Sequence, residues 1–131
     1  YMLNTPDPDA ACPGNFEVLG ELFGAGIFKG TGNYVANTTL WLRYNFIPPQ
    51  SKIVPYLQLG AGVTLTDIDR KVLGQAFNFN LNVATGLRYF LRPDFSLNAE
   101  YRYQHISNAG LSENNLGVNA HGPALSVSWY Y

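Results

Sequence analysis

Charge is scarce in this chain. Eight Lys or Arg and nine Asp or Glu make up 13% of 131 residues, about half the charged share of an ordinary soluble domain. The formal net charge of −1 supplies no field that would gather nucleic acid or an anionic surface. Cysteine is scarcer still: Cys12 stands alone, so an intrachain disulfide is excluded. The residues before it, Pro-Asp-Pro-Asp-Ala-Ala, hold no apolar signal core. A free thiol in a Pro-rich loop is therefore expected, not a lipidated N-terminal cysteine. No uncharged apolar run approaches the roughly 18 residues of a membrane-spanning helix, and no helical period appears. What is plentiful is apolar, aromatic and turn-forming. Hydrophobic residues reach 47%, with nine Tyr, eight Phe and two Trp, beside thirteen Gly and eight Pro. That apolar share excludes a disordered chain, and the length suits one domain. A β-rich protein is left, either soluble or a membrane barrel.

The strongest signal is alternation with period two, repeated along the chain. Odd positions from 77 to 91 read Phe77, Phe79, Leu81, Val83, Thr85, Leu87, Tyr89 and Leu91, against Asn78, Asn80, Asn82, Ala84, Gly86, Arg88 and Phe90. The run from Phe95 sets Leu97, Ala99, Tyr101 and Tyr103 against Ser96, Asn98, Glu100, Arg102 and Gln104. Similar runs cover 34–46, 53–65 and 123–131, and a less regular one covers 16–28 with Glu17 and Glu21 on one face. Most of these runs extend over roughly 11 to 15 residues, whereas a globular strand averages about 5 to 6 and a tilted membrane strand needs about 9 to 11. One face is apolar with Tyr and Phe toward its ends, as in the aromatic girdles of a lipid-facing surface. The other carries Asn, Gln, Ser, Thr and Gly with Glu17, Glu21, Glu100, Arg43, Arg88 and Arg102, a set suited to filling a narrow bore as a paired network.

The fold expected is all-β, an antiparallel up-and-down outer-membrane β-barrel. Short Pro-containing turns at 47–51 and 92–94 alternate with longer polar loops at 66–75 and 108–120, as periplasmic turns alternate with external loops. The strand from Phe95 then runs outward, placing His105 to Ser107 near the outer leaflet. Six complete strands are readable, and Tyr1-Met2-Leu3 reads as the stub of another. A closed single-chain barrel has at least about eight strands. Residues 1–131 are therefore expected to form a single barrel domain lacking its first one to two strands, from a processed or truncated start. The terminal aromatic Tyr131 fits a barrel of this kind.

Chemistry concentrates at 101–110, Tyr-Arg-Tyr-Gln-His-Ile-Ser-Asn-Ala-Gly. His105 and Ser107 are two apart on a strand and so share a face, the apolar one. A His-Ser pair at a wet strand end also reads as a plain cap before the loop. The functional alternative is a hydrolase dyad, with His105 as general base and Ser107 as nucleophile. Asn108, Asn115 and the backbone around Gly110 supply candidate oxyanion donors. His121, beyond the loop, reads as a structural or surface histidine. Glu100 lies on the lumen face, away from the dyad.

The segment His-Ile-Ser-Asn-Ala-Gly-Leu-Ser-Glu-Asn-Asn-Leu-Gly-Val-Asn resembles the active-site motif of lipid A 3-O-deacylases of the PagL type, within the acyloxyacyl hydrolase-like outer-membrane family. Asn-Phe-Glu-Val-Leu-Gly-Glu, Leu-Arg-Tyr-Asn-Phe, Val-Pro-Tyr-Leu-Gln-Leu-Gly-Ala-Gly and the run from Phe77 to Leu91 carry the resemblance over essentially the whole chain. It implies an eight-stranded barrel in the outer membrane of a Gram-negative bacterium. It also implies hydrolysis of the ester-linked 3-position acyl chain of lipid A (lipopolysaccharide), with no metal and no cofactor. By motif, His105 matches the base, Ser107 the nucleophile and Asn115 the oxyanion-stabilising Asn. The family's acidic residue falls fourteen positions after the histidine, where this chain has Asn119. An Asn carbonyl can accept from imidazole and fix its tautomer, as in Cys-His-Asn proteases. Glu113 is an alternative acid at a spacing that does not match. The expected partners are lipid A and outer-membrane lipid, without nucleic acid, and a homodimer is left open. Against the esterase stands a non-catalytic structural or adhesion-type barrel that keeps the fold, which Asn119 favours. A soluble lipid carrier would need the apolar faces turned inward, which the charges on the opposite faces oppose.

Overall fold

The computed structural model describes residues 1–5, 7, 13–46 and 51–130. The expected free thiol of Cys12, the expected turn at 47–50 and the terminal Tyr131 lie outside the described residues. Six strands follow in order: β1 (Asn15–Gly26), β2 (Tyr34–Asn45), β3 (Ile53–Thr66), β4 (Phe77–Arg92), β5 (Phe95–Ser107) and β6 (Val118–Trp129). Each pairs antiparallel with its neighbour in sequence, giving one meander sheet in the order β1 to β6. Every strand has at least 12 residues, enough to cross a bilayer at a barrel's tilt.

The sheet is curled, because side chains of distant strands meet across its concave face. Arg88 of β4 forms a bidentate pair with Glu17 of β1. Arg102 of β5 bridges Glu21 of β1 at 2.7 Å and Glu100 of its own strand. The Tyr56 hydroxyl donates to Glu100 at 2.6 Å, as does Gln58 at 3.0 Å. Arg43 differs from the expected charge pairing: its Nε donates to Gln58 at 2.7 Å and its guanidinium lies 4.2 Å over the Tyr56 ring. Trp41 also enters the bore, where a Cβ on Gly60 would come within 2.6 Å of its ring.

The polar half of each alternation is thus inside, and the apolar half is outside. Leu40, Leu42, Leu57, Leu59, Leu81, Val83, Leu87 and Val127 are all exposed on the convex face. A contiguous apolar exterior of this extent is not tolerated in water, and its natural solvent is lipid. Aromatics border the band. Phe16, Tyr44, Phe46, Phe95 and Trp129 cluster at the end carrying the tight β4–β5 turn. Tyr34, Phe77 and Phe79 stand at the other end.

That second end carries the longer connections, hence the external side. The loop after β3 includes one helical turn, α1 (Arg70–Leu73), capped by Asp69, whose carboxylate accepts from the Lys71 amide at 2.9 Å. A single turn is too short to show a helical period in sequence. Ile68, Leu73 and Ile106 are buried together there, with Ile27, Val35, Val72 and Val118 packed around them. This apolar plug sits beneath the external loops. At the outer edge of β1, Leu3 donates to Phe16 and Val18 donates to Tyr1, at 2.8 and 2.9 Å. Residues 1–3 thus lie along β1 as the start of a further strand would.

Candidate active site

The external end of β5 is held by what points inward. Ile106 is 2% exposed and belongs to the apolar plug. Its neighbours His105 and Ser107 consequently project outward, half-buried, among Phe79 and Leu81 of β4, to which they are register partners. On the other side, β6 sets Asn119 opposite His105 and His121 opposite Tyr103. Asn119 and His121 are therefore strand residues. The expected loop over 108–120 ends sooner because the turn signals stop at Gly117, which has a left-handed φ of 72°.

Asn119 Oδ1 lies 2.7 Å from His105 Nδ1 and also accepts from the Tyr103 hydroxyl at 2.8 Å. An amide oxygen only accepts, so Nδ1 is the donor in this contact, and in the neutral ring Nε2 then keeps its lone pair. This is the tautomer a general base needs. Gly117 gives the ring its space, since a Cβ there would come within 3.0 Å of His105 Cε1. Ser107 makes no hydrogen bond with His105 among the described residues, although both project from one face. Nucleophile–base contacts are often loose until substrate arrives.

The loop after Ser107 is tightly made. Asn108 is fully buried. Its Nδ2 donates to Leu73 O at 2.9 Å and to Asn114 O at 2.8 Å, and its Oδ1 accepts from Gly110 N at 2.8 Å. Ala109 takes a left-handed φ of 54° between them. The donors of Asn108 and Gly110 are thereby engaged within the loop. Asn115 accepts from the Asn108 amide at 3.0 Å through Oδ1, and its exposed Nδ2 has no partner among the described residues. Leu116 donates to Val72 O at 3.0 Å, so α1 and this loop brace each other. Glu113 is exposed and makes no bond to the imidazole, whose Nδ1 is taken by Asn119. Glu100 is inside the bore, bonded to Arg102, Tyr56 and Gln58. His121 Nδ1 lies 2.6 Å from the Tyr101 hydroxyl, outside this cluster.

Below the neighbouring loop, Asp67 accepts from Asn33 N and Asn33 Nδ2, each at 2.7 Å, and from Tyr34 N at 3.0 Å. Those backbone and side-chain donors hold its carboxyl below the ordinary value of 3.8. No group of three or more His, Cys, Asp or Glu among the described residues is arranged to hold a metal ion.

Sequence reasoning missed Tyr103 as a polar partner and Gly117 as a spacer. The first needs the β5–β6 register, and the second needs a backbone dihedral.

The family model described as lipid A 3-O-deacylase (PagL) matches residues 17–128. No curated protein and no solved structure matches the chain. With six long antiparallel strands, an apolar convex face and a match spanning most of its length, the chain belongs to the lipid A 3-O-deacylase (PagL) family of outer-membrane β-barrel proteins.

Proposed function

We infer that this chain is an esterase that removes the 3-position acyl chain of lipid A, with His105, Ser107 and Asn119 as its working set. The observation that carries the reading is the 2.7 Å contact between His105 Nδ1 and Asn119 Oδ1 on the lipid-facing side of the barrel. Nε2 is left free to take the Ser107 proton as Oγ attacks the ester carbon. The tetrahedral oxyanion then receives the free Nδ2 of Asn115, presented by a loop that Asn108 and Gly110 hold in shape. On collapse, the imidazolium returns its proton to the leaving 3-oxygen of the sugar, and the acyl chain remains on Ser107. Water activated by the same Nε2 releases it as a fatty acid and restores the enzyme. The substrate reaches the site sideways from the outer leaflet, with its acyl chain along Leu97 and Tyr101.

The barrel that supports this site closes between the edges of β1 and β6, since an open sheet edge is not stable in hydrocarbon. The edge contacts of Tyr1 and Leu3 with β1 support that closure.

A non-catalytic barrel is the second reading, favoured by an amide at the acid position and by the absence of a Ser107–His105 hydrogen bond. A fluorophosphonate probe separates the two readings. Peptide mapping is expected to find the adduct on Ser107, with labelling abolished by His105→Gln. A folded barrel that takes up no label supports the non-catalytic reading.

A further inference from the structure

Polar side chains on the lipid-facing side have two kinds of partner. Thr38 and Thr85 return their hydroxyls to backbone carbonyls, of Glu21 and Tyr56, the ordinary way to satisfy a polar group in hydrocarbon. Tyr103 does otherwise: its hydroxyl donates to the side chain of Asn119 at 2.8 Å, and that oxygen also meets His105 Nδ1 at 2.7 Å. The phenol thus bonds the same atom that orients the imidazole.

An amide at this position has a weakness that a carboxylate lacks. A carboxylate offers an acceptor on either oxygen. Rotating an Asn amide by half a turn replaces Oδ1 with Nδ2, a donor. His105 Nδ1 would then be the acceptor, the proton would move to Nε2, and no lone pair would face Ser107. We propose that Tyr103 is a positioning residue that locks the Asn119 amide with Oδ1 toward His105, so that an asparagine serves where the family motif has an acid. The inference rests on the esterase reading above and adds to it the residue that makes Asn119 competent. The turned amide would set Nδ2 against the Tyr103 hydroxyl, whose oxygen can accept that N–H but whose own proton then loses its acceptor in an apolar surrounding. Tyr103 therefore favours one amide orientation over the other.

The test pairs kinetics with a spectrum. Tyr103→Phe is expected to lower kcat about tenfold, the effect of one ordinary hydrogen bond, with KM little changed. Long-range nitrogen–proton spectra of histidine-labelled barrel, at about pH 8.5 where imidazole is neutral, report the tautomer, with His105→Gln assigning the signals. Wild type is expected to show the Nδ1–H form, and Tyr103→Phe to mix in the Nε2–H form. In an Asn119→Asp background, which presents two acceptors, Tyr103→Phe is expected to cost less than about threefold and to leave the Nδ1–H form intact. An unchanged tautomer in Tyr103→Phe, or an equal loss of activity in both backgrounds, overturns the proposal. A wild type that releases no fatty acid sinks the esterase reading instead, while the tautomer spectrum still decides the role of Tyr103.

Discussion

An asparagine beside His105 supplies the acceptor that a carboxylate would, without the charge that would stabilise an imidazolium. Asn119→Asp is therefore expected to raise kcat, and Asn119→Ala to lower it by about a hundredfold, read from initial rates of fatty-acid release. Gly117→Ala combines a left-handed backbone with a new methyl against His105 Cε1, a cost on the order of 1–3 kcal/mol. Lower activity and a lowered melting temperature are expected together; an unchanged rate would show that the ring does not need that space. At this scale the sequence was informative where local spacing decides. His105 and Ser107 share a face by period two alone, and the motif marks Asn119. Tyr103 and Gly117 were invisible, because one depends on cross-strand register and the other on a dihedral angle.

Among the elements, the strands were legible because they alternate over about nine residues or more, β1 less regularly than the rest. The loops were not. Turn residues run from Asn108 to Gly117 and hid the start of β6, while α1 is a single turn whose stability comes from burying Leu73 beside Ile106. Those loops position the site, which makes Asn108 a hinge for prediction. Asn108→Ala would leave the carbonyls of Leu73 and Asn114 unpaired, at about 1–3 kcal/mol each if they stay buried. Faster amide exchange in 108–117 and reduced activity are the expected signs; exchange as slow as wild type would contradict the bracing described. Asp67 acts on the loop between β1 and β2. Its folded-state value lies below 3.8, so its contribution is present above that value and is lost as pH falls through the lowered one. Exchange at Asn33 and Tyr34, compared between Asp67 and Asp67→Asn, should differ near neutral pH and converge in acid.

For the molecule as a whole, the faces are inverted relative to a soluble barrel: ion pairs fill the bore and leucines meet the solvent. Burial of Arg88 and Glu17 makes their pairing obligatory. Glu17→Gln strands a guanidinium inside and is expected to destabilise the fold by about 3–5 kcal/mol, seen as a lower urea midpoint in detergent. A midpoint equal to wild type would mean that the bore solvates Arg88 by other means. Barrel class and facing were legible from alternation and from the charges gathered on one side. The particular ion pairs were not, since Arg88 meets Glu17 only after the sheet curls. Family membership gives the reaction class, and Ser107 is the nucleophile proposed for this member. Mass spectrometry of lipid A incubated with the folded barrel, beside a Ser107→Ala control, tests this most directly. Loss of one 3-position hydroxyacyl mass is expected with wild type alone; unchanged lipid A in both samples would contradict the esterase reading.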